Sequence, residues 1–284
     1  MIWKVGPPDM RRTDVSRWAV AVPMFGLAVA TVYPVLFTGN VAMKTQREYT
    51  LDRLSLADRL SGDAISDAWS GSGLGRYVFN TTVVTAGSVA LLLLLGSMAG
   101  FALSRLTFRG RKTLFLVCLG TLMIPFQVIM VPLSRVLGQL GLLDTHAGLI
   151  LAYTGQFLPF TIFLMTSYYA RIPKEIVEAA RVEGCGTLGV YRRIMVPLGR
   201  PALLSAGILN ALFCWNDVLI ALLVMQSEDN RTLMVGVTAL RGQYSDNIPL
   251  FAGGVLIAAL PVLLLYLFFQ RQITDGVTAG ATKG

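Results

Sequence analysis

Apolar positions along the 284-residue chain gather into six blocks, at roughly 18–38, 78–103, 113–134, 147–170, 202–226 and 249–269. Each reaches the length of about 20 residues that a helix needs to cross a hydrocarbon core about 30 Å thick. Asp217 is the one charged residue inside any of them. Proline and glycine recur within the blocks, at Pro125, Pro132, Pro159, Gly96, Gly100, Gly253 and Gly254. Such residues are tolerated in membrane helices, where neighbouring helices re-satisfy the freed backbone groups. Gly96 and Gly100 form a G-x-x-x-G pair, which permits close helix approach but is a weak signal among 28 glycines. The pattern predicts an all-α polytopic membrane protein with six transmembrane helices.

The first block follows Lys4, Arg11, Arg12 and Arg17. It runs on to Phe37, beyond the 7–15 apolar residues of a secretory signal, and reads as a retained anchor. With residues 1–17 placed in the cytoplasm, the cytoplasmic parts hold four basic residues before the first span, four in 105–112, six in 171–200 and two in the tail, two thirds of the chain's 24. The bias of Lys and Arg toward the cytoplasm then puts the 270–284 tail inside as well. Residues 39–77 become an external loop, in which an amphipathic helix around 51–69 is expected.

Composition narrows the chemistry. The chain is 54% hydrophobic and 14% charged, with net charge +8, against about 25% charged residues in soluble domains. That surplus of positive charge is a topology signal, and no nucleic-acid motif accompanies it. Cys118, Cys185 and Cys214 are far apart and suggest neither a disulfide framework nor a metal site. His146 is the only histidine, which argues against a histidine-based metal site or triad in this chain alone, and no Gly-Lys pair occurs, so the chain holds no phosphate-binding P-loop.

The segment 171–201 between the fourth and fifth spans is more elaborate than a connector requires. Lys174, Glu178 and Arg181 fall on one helical face at spacings that permit ion pairs. Pro173 suits a first helical position, Gly184 and Gly186 stop the helix, and Thr187 is a candidate N-cap for a second short helix. Ala179-Ala180 leaves the first helix thin. Leu188, Tyr191 and Met195, with Ile194 beside them, recur at helical spacing until Pro197. Two readings fit: an interfacial helix with Arg192 and Arg193 reaching lipid headgroups, or an apolar knob for a cytoplasmic partner.

Glu178-Ala179-Ala180, Glu183-Gly184, Ile194 and Pro197 resemble the EAA loop of binding-protein-dependent ABC importer permeases, with Glu183 where Asp is commoner and Cys185 where Ala is commoner. The stretches AWSGSGLGRYVFNT (68–81), WNDVLIALLVM (215–225) and QRQITDGVTAGATKG (270–284) are similar to the carbohydrate branch, the last resembling the end of the second permease of maltose-type systems. The resemblance implies a six-helix permease domain over 18–269 in a bacterial inner membrane. It implies a second permease, two ABC ATPase subunits that bind ATP and Mg in place of any cofactor here, an external binding protein and a sugar cargo. It assigns Glu178, Ala179, Ala180, Glu183, Gly184, Leu188, Tyr191, Ile194 and Pro197 to ATPase coupling. Gly276, Thr278, Gly280 and Lys283 are assigned to a tail contact with the ATPase.

Trp215, Asn216 and Asp217 are candidate pathway residues, with Asn210, Gln127, Tyr153 and Gln156 as weaker ones. A structural pairing of Asp217 with another helix is the competing reading, since a charge at membrane depth is usually turned inward. Burying Leu188, Tyr191, Ile194 and Met195 is worth about 6–12 kcal/mol gross, whereas association costs about 4–15 kcal/mol. One knob therefore holds a partner weakly, and two loops are expected to act together. A glycerol phosphate or polyol cargo stays open. A secondary transporter would need more ionisable groups in its spans, and a membrane-embedded enzyme would need a catalytic constellation.

Overall fold

The computed structural model describes residues 10–243 and 247–281, and helix is the only regular structure among them. The order is α1 (Met10–Ala42), α2 (Gln46–Leu51), α3 (Asp63–Ser66) with a π turn (Asp67–Gly71), α4 (Leu74–Arg105), α5 (Arg111–Thr121) and α6 (Phe126–Gln139). Then come α7 (His146–Arg171), α8 (Lys174–Val182), α9 (Thr187–Val190), a second π turn (Tyr191–Met195), α10 (Val196–Leu198), α11 (Arg200–Asn216), α12 (Leu219–Val224), α13 (Leu233–Gln243) and α14 (Ile248–Ala281).

Four helices are long and apolar enough to cross a bilayer alone: α1 over Val20–Ala42, α4, α7 and α14 over Ile248–Gln270. The other two apolar blocks are bent. Helices α5 and α6 meet at 101°, where Pro125 lacks an N–H and drives the residue before it out of helical geometry. The Thr187–Leu198 stretch meets α11 at 74°. The fifth block is also interrupted within itself, because Asp217 and Val218 separate α11 from α12. Counting each bent pair as one span gives six.

Helix α4 lies against α7 along most of its length. A Cβ on Gly96 would stand 2.5 Å from Thr161 Cγ2, and one on Gly100 would stand 2.6 Å from Met165 Cβ and 3.0 Å from the backbone beyond it. The weak glycine pair of the sequence is therefore a close-approach seam, where small residues let two backbones pack by dispersion. Hydroxyls within this apolar layer mostly bond carbonyls one turn back, as Thr154 does to Ile150, Thr161 to Phe157 and Ser205 to Pro201.

At one end of the bundle the 68–81 stretch clamps the loop between α12 and α13. Gly75 admits the Trp69 ring, and a Cβ on Gly236 of α13 would stand 2.2 Å from Tyr77. Asn80 donates to the carbonyls of Asp229 and Arg231, and Thr81 Oγ1 accepts from the Leu233 N–H. Asp144 grips the same loop from the other side, accepting from the Gln226 and Ser227 N–H groups at 3.0 Å while its carbonyl accepts from Asn230. Partial burial works to raise the Asp144 carboxyl, but the bonds from Ser227, Gln226 and Asn230 prevail and hold it below the ordinary carboxylate range.

The helix expected over 51–69 does not form. The chain is helical at Gln46–Leu51 and from Asp63 to Gly71, and irregular between. Asp52 supplies the reason: its Oδ1 accepts from the N–H groups of Leu54 and Ser55, bonds that compete with helix continuation. At the far end, α14 carries the backbone on from the sixth block through 270–281 as one helix.

Two outcomes are expected. Gly100→Val, whose branched side chain must displace backbone at Met165, should destabilise the protein by about 1–3 kcal/mol, lowering its thermal midpoint in detergent. Gly120→Ala, where nothing lies within 4 Å, should not. Because the Asp144 pKa is depressed on folding, its contribution is fully present above the unfolded value of about 3.9 and is lost as pH falls through the lower folded value. Protection factors for the Gln226 and Ser227 amides should accordingly match at pH 7 and pH 5 and fall only in stronger acid.

Candidate functional site: the coupling segment and the helix break

The 174–198 segment is built on the common end of α4, α7 and α11. Its inward face, Val177, Ala180, Val190, Tyr191 and Met195, joins Phe101, Met165, Tyr169 and Ala202 in one apolar cluster. Pro173 precedes the first turn as the N-cap residue, one position earlier than expected, and its extended backbone (φ −55°, ψ 139°) separates α8 from α7. Gly186 rather than Thr187 occupies the N-cap of α9, with no side-chain cap; Thr187 is already helical.

Gly184 is the elbow. It has φ +86°, its N–H donates to the Arg181 carbonyl, and the Cys185 N–H donates to the Ala180 carbonyl at 2.9 Å. These two bonds close the α8 C-terminus as a Schellman motif, which calls for a left-handed residue at this position. No atom lies within 4 Å of where a Cβ would sit, so the demand for glycine here is conformational rather than steric.

The expected knob divides. Leu188 is 56% exposed, Ile194 is half-buried and Pro197 is exposed. Tyr191 turns inward instead: its hydroxyl pairs with Ser97 at 2.7 Å and its ring lies 5.4 Å from that of Phe101. Met195 is fully buried. Both belong to the chain's own core and are removed from the outward apolar face. Val182 is 89% exposed as well, outside the knob expected from the sequence. Glu178, Ala179 and Glu183 are exposed and Ala180 is buried. Glu178 pairs with neither Lys174 nor Arg181, nor with any other described residue.

Three positioning groups were missed. The Arg105 guanidinium donates to the carbonyls of Tyr169 and Ile172, satisfying the end of α7 with a cation where the helix dipole favours one. Tyr168 donates to the Leu198 carbonyl at 3.2 Å. A Cβ on Gly199 would stand 2.6 Å from the Tyr169 ring, so the 74° bend into α11 is seated on that ring. Only the spacing of Pro197, Gly199 and Pro201 hinted at it in the sequence.

The second constellation lies at the other end of α11. The Asp217 carboxylate accepts from the Tyr153 hydroxyl and from the Ala221 N–H, both at 3.0 Å. It thus caps α12, satisfies one backbone donor freed by the break and ties that break to α7. Trp215 donates to the Ala258 carbonyl of α14. Asn210 is fully buried and donates to Thr161 Oγ1 at 2.9 Å. Tyr153 is fully buried and Gln156 half-buried. Asn216 and Gln127 are exposed, Asn216 bonding only to the Leu212 carbonyl of its own helix. Of the tail residues, Gly276, Thr278 and Gly280 lie on the helical backbone of α14, and Lys283 falls outside the described residues.

The bent 174–198 segment stands on a bundle of four to six apolar spans, and residues 92–274 match the family described as "Binding-protein-dependent transport system inner membrane component". The chain belongs to that family. It is a multi-pass inner-membrane permease. Among its relatives, the melibiose/raffinose/stachyose import permease protein MelC of Bacillus subtilis (strain 168) is 33% identical over 91% of this chain and 94% of its own. The arabinooligosaccharides transport system permease protein AraQ of Halalkalibacterium halodurans is 31% identical over 96% of this chain and 99% of its own. A permease chain from the crystal structure of a bacterial ABC transporter importing the acidic polysaccharide alginate shares the fold, with TM-score 0.78 and 21% identity over 95% of this chain and 99% of that one.

At Gly184, replacement by alanine should weaken the elbow by about 1–2 kcal/mol, the left-handed penalty for an L-residue. Asparagine, which tolerates that region better, should cost less. Hydrogen exchange at the Cys185 amide reads both.

Proposed function

We propose that this permease forms, with a second six-span permease, the pathway for a sugar or oligosaccharide delivered by an external binding protein. Two cytoplasmic ABC ATPase subunits bind the ATP and Mg and hydrolyse the nucleotide. The carrying observation is the outward face of the coupling segment. Glu178, Ala179, Val182 and Leu188 stand clear of the chain's own core on either side of a stiffened glycine elbow. A segment that buries one face in its own bundle and offers a carboxylate and apolar tips on the other is built to be held. The cargo follows the relatives, MelC and AraQ being named for di-, tri- and oligosaccharides. The segment lies on the cytoplasmic side, with both termini there, in keeping with the six basic residues of 171–200.

The inward turn of Tyr191 and Met195 lowers the docking energy of one loop. Leu188 and Val182 remain, at about 1.5–3 kcal/mol each if fully covered, against an association cost of about 4–15 kcal/mol. One loop thus offers about 3–6 kcal/mol gross and two together about 6–12, so the second loop brings the grip within the range of that cost. In the pathway, Asn216 and Gln127 are free to meet a sugar, whereas Asp217 and Trp215 hold the walls in shape.

Glu178→Ala removes a side chain with no partner among the described residues, so stability should stay within about 0.5 kcal/mol. Sugar uptake and substrate-stimulated ATP hydrolysis by the assembled transporter should fall about 5–150-fold, the usual span of a coupling free energy. Unchanged uptake would remove Glu178 from the coupling contact.

A further inference from the structure

In the lobe that follows α1, Lys44 and Asn40 turn inward and hold the backbone, while Asp52, Arg53, Ser55, Asp58 and Arg59 are exposed. Lys44 is 3% exposed, and its ammonium donates to the Asp52 carbonyl at 2.9 Å and the Ser55 hydroxyl at 3.0 Å. Asn40, on the last turn of α1, donates to the Ser55 carbonyl at 2.8 Å and accepts from the Ala57 N–H at 2.9 Å. Asp52 Oδ1 is turned onto the lobe's own backbone. The apolar side chains point out: Leu51, Leu54, Leu56 and Leu60 are between 76% and 88% exposed, and none joins an apolar cluster. The lobe is thus ordered by its hydrogen bonds, and its leucines take no part in ordering it.

The depth of this lobe is fixed by Asn40. That residue lies two positions from the end of the apolar Val20–Ala42 stretch, so the backbone it holds at Ser55 and Ala57 sits at the level where α1 leaves the hydrocarbon. Residues 20–36 of α1 are exposed as well, an apolar helix surface that leads up to Asn40. Tyr49 stands at the same level beneath the Arg53 guanidinium, 5.9 Å from its ring centroid, and Arg47 and Arg59 are exposed nearby. Aromatic rings and basic side chains above an apolar face are the composition of a membrane-interface element.

We propose that residues 51–60 form an interfacial foot: Leu51, Leu54, Leu56 and Leu60 insert among the upper acyl chains of the adjacent leaflet, with Arg47, Arg53 and Arg59 at the phosphate level. The foot braces the α1 end of the bundle against the bilayer surface. Its occupant is lipid, and neither the second permease nor the external binding protein covers it.

The test uses the whole transporter reconstituted in bilayers, with Cys118→Ser and Cys185→Ser in the background. An environment-sensitive fluorophore is attached at Leu56→Cys, Leu60→Cys or, as an internal control, Asp58→Cys. A phosphatidylcholine carrying a nitroxide near the top of its acyl chain should quench the probes at 56 and 60 about twofold or more, as for side chains lying in the headgroup–acyl boundary. The probe at 58 should respond instead to aqueous iodide. Preferential quenching of 56 and 60 by iodide would overturn the proposal. So would shielding from both quenchers, whether permanent, as under the second permease, or appearing only when binding protein is added. Two labelled positions guard against one failing to fold, and assembly is confirmed by size exclusion. The readout requires no transport, so loss of uptake without loss of lipid quenching would count against the transport reading alone.

Discussion

Helix α4 lies close against α7 where Gly87, Gly96 and Gly100 carry no side chain. A methyl group at Gly96 or Gly100 would meet Thr161 or the backbone around Met165. The rest of the chain is arranged around that seam. The far end of α4 supplies Asn80 and Thr81 to the α12–α13 loop, and its other end supplies Ser97 and Phe101 to Tyr191 of the 174–198 segment and Arg105 to the end of α7. In lipid, where burial of apolar surface gives no net drive between helices, such close fitting is the main source of cohesion. A change of separation at the seam would therefore be felt at both ends of the molecule.

The polar groups of the bundle follow from the same solvent. A helix break at membrane depth leaves backbone donors that no water satisfies, and Asp217 answers one of them at Ala221 while taking the Tyr153 hydroxyl. The carboxylate that stood out in the sequence as the lone charge in six apolar blocks is thus spent largely on architecture. Exposed Asn216 beside it has no such duty beyond its own helix. Neighbouring residues of one motif divide into a half-buried, bonded carboxylate and an exposed amide.

The positions of the spans were legible because apolar length is the dominant demand of a bilayer. The ends of α4 and α7 fall within a few residues of the expected 78–103 and 147–170 blocks. Gly184 was legible for a local reason, since a left-handed residue is needed wherever a helix closes in this way. The direction of the apolar stripe Leu188–Tyr191–Met195 was not. Periodicity shows that these residues share a face, but not whether the partner is another protein or the chain's own α4. The bonds from Arg105 and Tyr168 to carbonyls far away in sequence left no local trace. Nor did the choice of a hydrogen-bonded loop over a helix at 52–62, where Asp52 and Lys44 outcompete helix propensity.

The seat of Gly199 on the Tyr169 ring gives α11 a mechanical character. It is a strut of 17 residues, about 25 Å long at 1.5 Å per residue, with a packed pivot at one end and the Asp217 joint at the other. The segment beyond the pivot is stiff, closed by its own backbone bonds and keyed into the bundle through Tyr191. A load applied to that short arm is not absorbed by slack in a tether. It would reach the joint as a rotation, and exposed Asn216 sits where the strut ends.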